Sequence, residues 1–306
     1  MANKGKSRAL SVRTRQGTKA QRRVQAKKTA SKQAVPTSFS VLDQVFRLFQ
    51  KHWKVLGGIM LVYLVLNIVF ASGLNTVINN FSSVKDNLAA SRNFSGALDG
   101  FGSLLGGSAG GSDSASVIQS VSIVLMSLVI IWVLRQLLAG KKFSVNEAYY
   151  GSMFPLIPFL LVILVIIIQL LPITLGAGLV ALIVSALSSS GLATFIMVLL
   201  FLPLFAWSVY MLSSSIFALY IVTLPDMQPR QALRSAKKLV SFRRLKIIRR
   251  LLFLPIFILV VMAVVILPLI LYVHILVVAV FYLLSILAFL FAHTYLYTLY
   301  RGLLDG

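Results

Sequence analysis

The chain predicts an all-α polytopic membrane protein: about six transmembrane helices arranged as three hairpins preceded by amphipathic interfacial helices, with both termini cytoplasmic. Three observations carry that expectation. Of 306 residues, 58% are hydrophobic and only 12% charged, against about 25% charged in soluble domains, so the apolar surplus needs lipid as its solvent. The basic residues are gathered before residue 55, at Lys141 and Lys142, and between Arg230 and Arg250. Between these clusters run apolar stretches long enough to cross a hydrocarbon core about 30 Å thick.

The stretch 225–250 pins the topology. It sets nine Lys/Arg against the single acid Asp226, and each such cation costs about 2.5 to 3.5 kcal/mol at the centre of a spanning helix. A basic cytoplasmic segment is therefore expected here. Within it Arg243, Arg244, Lys246, Arg249 and Arg250 alternate with Leu245, Ile247 and Ile248 at the entry to a span. Cations at that boundary are the candidate ligands for anionic lipid headgroups.

Residues 1–35 read as a disordered basic cytoplasmic tail and residues 36–306 as a helical transmembrane domain. The tail holds eleven Lys/Arg, no acid and almost no large apolar residue, so it cannot build a core. The first long apolar run begins only at Val55, too late for a secretory signal. An Arg/Ser-rich, acid-poor tail also suits an organelle transit peptide. No aromatic residue interleaves its charges, which leaves out the stacking half of a nucleic-acid surface.

From Ser38 the residues Leu42, Val45, Phe46, Phe49 and Trp53 form one helical stripe, with Asp43, Arg47, Lys51 and Lys54 opposite, the pattern of an interfacial helix. Ser40 is the expected N-cap. A first span follows over residues 55–72. Residues 73–115 are polar, end in Gly/Ser-rich low complexity and read as a flexible outer loop. The second span, 117–138, ends in Arg135, whose guanidinium is expected to snorkel to the inner headgroups. Ser144 and Glu147 then form a capping box that opens a short surface helix.

Residues 154–224 are nearly all apolar, with a break at Ser188 to Gly191. Each half, at about 33 residues and 1.5 Å per residue, exceeds a straight span. Two long helices kinked at Pro172 and Pro203 are expected, with a re-entrant turn at Gly176 and Gly178 as the alternative. Pro229 opens another surface helix whose apolar side is Ala232, Leu233, Ala236, Leu239 and Val240. The last two spans are expected over 251–272 and 275–300, joined by an uncharged turn.

The run ALYIVTLPDMQPRQALRSAKKLVSFRRLKIIRRLLFLP resembles bacterial inner-membrane families typified by the membrane domain of glycerophosphoryl diester phosphodiesterases and its uncharacterised relatives. In those families a span ends, an Ala-Leu-x-x-Ser helix follows, and a basic segment leads into the next span. Ala232, Leu233 and Ser235 stand at those places. The resemblance covers roughly residues 141–301 and implies a multi-pass protein of the bacterial inner (plasma) membrane. It implies no catalysis, because the phosphodiesterase domain of that family is a separate soluble barrel.

Functional chemistry is sparse in the sequence. The absence of Cys removes thiolate metal sites, Fe-S clusters and cysteine nucleophiles. No acid falls inside an expected span, so the intramembrane carboxylates common in ion coupling are missing. His52, His274 and His293 do not converge. His293 with Gln169 or Asn67 could line a polar path, and interhelical hydrogen bonding is the plainer role for such residues. The reading is a protein with no catalytic, cofactor or metal site that acts through anionic lipid or a protein partner. A transporter or channel-like protein, with its site between the long middle helices, is the alternative.

Overall fold

The computed structural model describes residues 37–70, 113–141, 143–186, 191–241, 243–272 and 274–304. Among these residues the regular structure is all helical. The expected tail, 1–35, and nearly all of the expected outer loop lie outside them.

The first helix, α1 (Ser38–Phe70), joins the expected surface helix and first span into one element, bent where His52 leaves helical geometry at φ −121° and ψ 24°. The cap is Thr37, not Ser40: the Ser40 amide donates to Thr37 Oγ1 at 3.3 Å, satisfying one of the donors a helix start leaves orphaned. Asp43 and Arg47, one turn apart, pair at 2.9 Å on the wet side. The buried side is Val41, Leu42 and Val45, whereas Phe46 and Trp53 are 51% and 66% exposed. The expected stripe was thus one part core and one part lipid face. Its aromatic residues stand at the protein boundary, where Phe46 still meets Phe291 with ring centroids 5.8 Å apart.

Helix α2 (Asp113–Leu138) starts inside the Gly/Ser-rich stretch rather than after it. Gly140 takes a φ of +69° just past its end, the left-handed conformation that closes helices at least cost in glycine. Helix α3 (Val145–Ser152) opens on the expected capping box: Ser144 Oγ accepts from the Glu147 amide and the Glu147 carboxylate accepts from the Ser144 amide, each at 3.2 Å. It packs against α1 and α2. A Cβ on Gly151 would stand 2.9 Å from the Trp132 ring, so glycine is what lets α3 lie this close to α2.

Helix α4 (Leu156–Ala186) runs unbroken through Pro172, Gly176 and Gly178, so the alternative of a re-entrant turn is not adopted. Helix α5 (Gly191–Ser215) contains Pro203 and stops short of the expected length. The chain turns and resumes as α6 (Ala218–Val222). Three consecutive serines explain the break: Ser213 and Ser214 hydroxyls donate to the carbonyls of Tyr210 and Met211 at 2.7 and 2.8 Å, offering the backbone an alternative to its own ladder. α4 and α5 pack on each other as a hairpin with Leu160, Leu161, Leu164, Ile167 and Ile168 turned outward.

Helix α7 (Pro229–Val240) has Pro229 in its first turn, where the missing amide costs nothing. Ala232, Ala236 and Val240 are fully buried against the bundle. Helix α8 (Arg244–Tyr272) begins seven residues before the expected span, and α9 (His274–Leu304) closes the chain. Pro268 lies within α8. α9 is the central post, packed against α8, α1 and α2, and its Tyr295 and Leu299 are fully buried.

Candidate functional site

Because α8 starts at Arg244, the five candidate headgroup ligands wind around a helix end instead of lining a loop. At about 100° per residue they point in different directions. Lys246 and Arg249 are exposed, and Arg243 and Arg244 are half-buried. The Arg244 guanidinium lies over the Tyr210 ring of α5, 4.4 Å from its centroid, a cation–π contact. Arg250 is only 7% exposed, and its carbonyl accepts from the Tyr295 hydroxyl at 3.4 Å. Arg250 therefore faces inward, one turn below the fully buried Ile247.

A set not singled out from the sequence joins the outward pair. Arg230, Arg234, Lys237 and Lys238 are all exposed on α7, opposite its buried Ala232, Ala236 and Val240. The signal was present: cations recur at i, i+4 and i+7 against small apolar residues at i+2, i+6 and i+10, the amphipathic period. With Lys246 and Arg249 they make six exposed cations on consecutive elements. No acid lies between Arg230 and Arg250, and Asp226 precedes them.

The polar residues within the bundle form separate ties. Tyr282 donates to Asn67 Oδ1 at 2.6 Å and Asn67 Nδ2 donates to the Tyr63 hydroxyl at 3.4 Å, linking α1 to α9. His293 lies with Nε2 3.2 Å from Ser127 Oγ and Nδ1 3.4 Å from the Tyr220 hydroxyl, linking α9 to α2 and α6. The Phe289 ring stands between these clusters, stacked on Tyr63 and edge-on to His293. Asn67 and His293 are thus divided by an aromatic ring, and Gln169 sits apart from both on α4. Such bonds hold helices together in lipid.

Arg135, expected to snorkel toward the inner headgroups, takes a partner within the protein. Its guanidinium donates to the Thr223 carbonyl at 2.7 Å and to the Thr223 hydroxyl, tying the end of α2 to the end of α6. Arg301 reaches the Leu138 carbonyl at 3.5 Å, on the last turn of α2. Cations near helix C-termini complement the free carbonyls there.

Grooves open on the surface between the described helices. One is lined by Phe46, Phe257, Met262 and Phe291 among others, between α1, α8 and α9. Another lies between α1, α2 and α3. Neither takes a lining residue from the α4/α5 hairpin. Among the described residues no three His, Cys, Asp or Glu side chains gather as a metal site would require. Burial pushes the Tyr149 phenol on α3 up to about 12. His52 sits at the bend of α1, whereas the partners of His293 are Ser127 and Tyr220.

Six helices among the described residues are long and apolar enough to cross a membrane, and with the outward-facing leucines and isoleucines of α4 they define a multi-pass integral membrane protein. No family model, no curated protein and no solved structure matches the chain.

Proposed function

We propose that this is a non-enzymatic protein of a bacterial inner membrane, with both termini cytoplasmic, that works by holding anionic lipid at a cationic face. The carrying observation is α7: four exposed cations on one side, and on the other Ala232, Ala236 and Val240 at 0% exposure. The helix is docked on the bundle, so its charges are presented on a fixed surface rather than on a mobile loop. Lys246 and Arg249 extend the face along α8. Each Lys/Arg near an anionic surface contributes about 1 kcal/mol, so the face acts by sum and not through any one residue. The likeness of residues 141–301 to the membrane domains named above agrees with this reading and is part of the proposal. A protein partner with an acidic surface would use the same charges.

Native mass spectrometry of the purified protein, released from bilayers of mixed phosphatidylglycerol and phosphatidylcholine, tests it. Wild type is expected to retain phosphatidylglycerol preferentially. Changing Arg230, Arg234, Lys237, Lys238, Lys246 and Arg249 together to Gln should abolish the preference, while any single change should leave most of it. Unchanged lipid selection in a correctly inserted six-site variant would reject the proposal and leave the charges a purely topological role.

A further inference from the structure

The groove between α1, α2 and α3 has a volume of about 410 Å3, within the roughly 300 to 1,000 Å3 typical of small-molecule sites. Its walls include Leu66 from α1, Val121 and Leu125 from α2, and Met153 just past the end of α3. Val117, Ile118 and Val121 are 62%, 40% and 52% exposed and lie within a segment of membrane-spanning character. The opening of the groove therefore faces hydrocarbon, and the molecules available to enter it are lipid chains.

Three hydroxyls interrupt the apolar lining, and they are not equivalent. Ser122 Oγ is committed to the Ile118 carbonyl at 2.9 Å. The Tyr63 hydroxyl accepts from Asn67 and stands inside a candidate span, below the level of ester carbonyls. The Tyr149 hydroxyl reaches the Ile59 carbonyl only at 3.5 Å, the outer limit of a hydrogen bond, so its donor is weakly engaged. A phenol keeps its proton at physiological pH, so Tyr149 serves as a neutral donor. It sits on α3, outside the six candidate spans, beside the exposed Tyr150 and Glu147. That is the level where aromatic residues with one polar end settle, between headgroup and hydrocarbon. In a glycerolipid the ester carbonyls occupy the same level.

We infer that this groove holds one acyl chain of a glycerolipid, with the Tyr149 hydroxyl donating to its ester carbonyl. The site shares no residue with the cationic face and does not depend on lipid charge. The α3 helix acts as its end wall, which gives the close Gly151–Trp132 approach a purpose: it fixes the height of Tyr149 against α1 and α2.

The test compares two zwitterionic probes, 1-palmitoyl-2-oleoyl phosphatidylcholine and its dialkyl ether analogue. They share headgroup and chain length, and only the first has ester carbonyls. The full-length protein is reconstituted with equal amounts of each, and the lipids that remain bound are counted by native mass spectrometry. One net hydrogen bond predicts a preference for the ester lipid of about three- to tenfold. Tyr149→Phe should bring the ratio close to one while total occupancy persists. Val121→Trp, on the outward wall where added bulk is tolerated, should lower occupancy by both probes. Equal retention by wild type overturns the inference, as does an ester preference that survives Tyr149→Phe. Wild type that shows no phosphatidylglycerol selection but keeps the ester preference would sink the cationic-face reading and leave this one standing.

Discussion

Two glycine-to-alanine changes, one residue type in one kind of element, are expected to move stability in opposite directions. At Gly57, in α1, an added Cβ meets nothing within 4 Å, so the change should recover most of the helix-propensity difference, about 0.5 to 1 kcal/mol. At Gly151, in α3, the same atom would stand 2.9 Å from Trp132 Cε2 and 3.0 Å from Cζ2 and Nε1, well inside the normal 3.5 to 4.0 Å carbon contact. The obstacle is a rigid indole, itself held edge-on by Phe143 with centroids 5.3 Å apart. It cannot yield by a rotamer twist at one end. Overpacking of this kind costs about 1 to 3 kcal/mol. Set against a propensity gain of at most about 1 kcal/mol, Gly151→Ala should be destabilising by about 1 kcal/mol, with the two variants separated by about 2. Unfolding of the detergent-solubilised protein by SDS titration measures both. A background carrying Trp53→Phe and Trp207→Phe leaves Trp132 as the reporter of α3 docking. If Gly151→Ala proves as stable as Gly57→Ala with unchanged Trp132 emission, the close packing of α3 on α2 is wrong.

Two other measurements follow from the structure. Arg135→Gln removes the charged fork that grips Thr223, and because Arg135 is half-buried the expected loss is at the low end for charged hydrogen bonds, about 1 to 2 kcal/mol; a double-mutant cycle with Thr223→Val should show coupling, and strict additivity would refute the tie. The raised Tyr149 pKa, from 10.0 in the open chain to about 12, favours the protonated form in the fold, so its stabilising contribution is complete below pH 10 and lost as pH rises toward 12. Tyr149→Phe should therefore unfold with a weaker alkaline dependence than wild type across that window, and identical pH profiles would contradict the burial of Tyr149.

What could be read from the sequence and what could not divide along physical lines. Spans were legible because the cost of a charge in lipid acts on composition alone: Lys141 and the run from Arg230 to Arg250 bound the apolar stretches whatever the packing. The Ser144–Glu147 capping box was legible because its partners are three residues apart. The start of α8 was not, since Arg243 to Arg250 alternates charged and apolar residues in a way that suits a surface loop as well as a helix end. Only packing of Ile247, at 0% exposure, decides for the helix and turns Arg250 inward. The tie of Arg135 to Thr223 was not legible because its partner is 88 residues away and neutral, so no charge pairing announces it. On α1 the expected Leu42 and Val45 are buried, and the turn of Phe46 and Trp53 outward with Val41 inward likewise depends on which neighbour arrives. The outward cations of α7 were visible at helical spacing but were counted as a charge cluster rather than resolved into a face.

That resolution changes what the charges can do. A flexible loop carrying six cations attracts an anionic surface but must lose conformational entropy to hold any one arrangement of headgroups. On α7 the neighbours three and four residues apart stand about 5 to 6 Å from one another at Cβ, and the buried Ala232, Ala236 and Val240 have already fixed them on the bundle. The ordering cost is met during folding, so the lipid contacts need not offset it again, which is how preorganisation raises affinity without adding contacts. Small residues on the docked side matter for the same reason. Two alanines and a valine let α7 lie close against α5 and α6, whereas Leu233 and Leu239, half-buried at the margins, seal its edges. A substitution such as Ala236→Leu would lift the helix and scatter the cations without altering a single charge. Under the proposed function, lipid selection is therefore set as much by the apolar side of α7 as by its basic side.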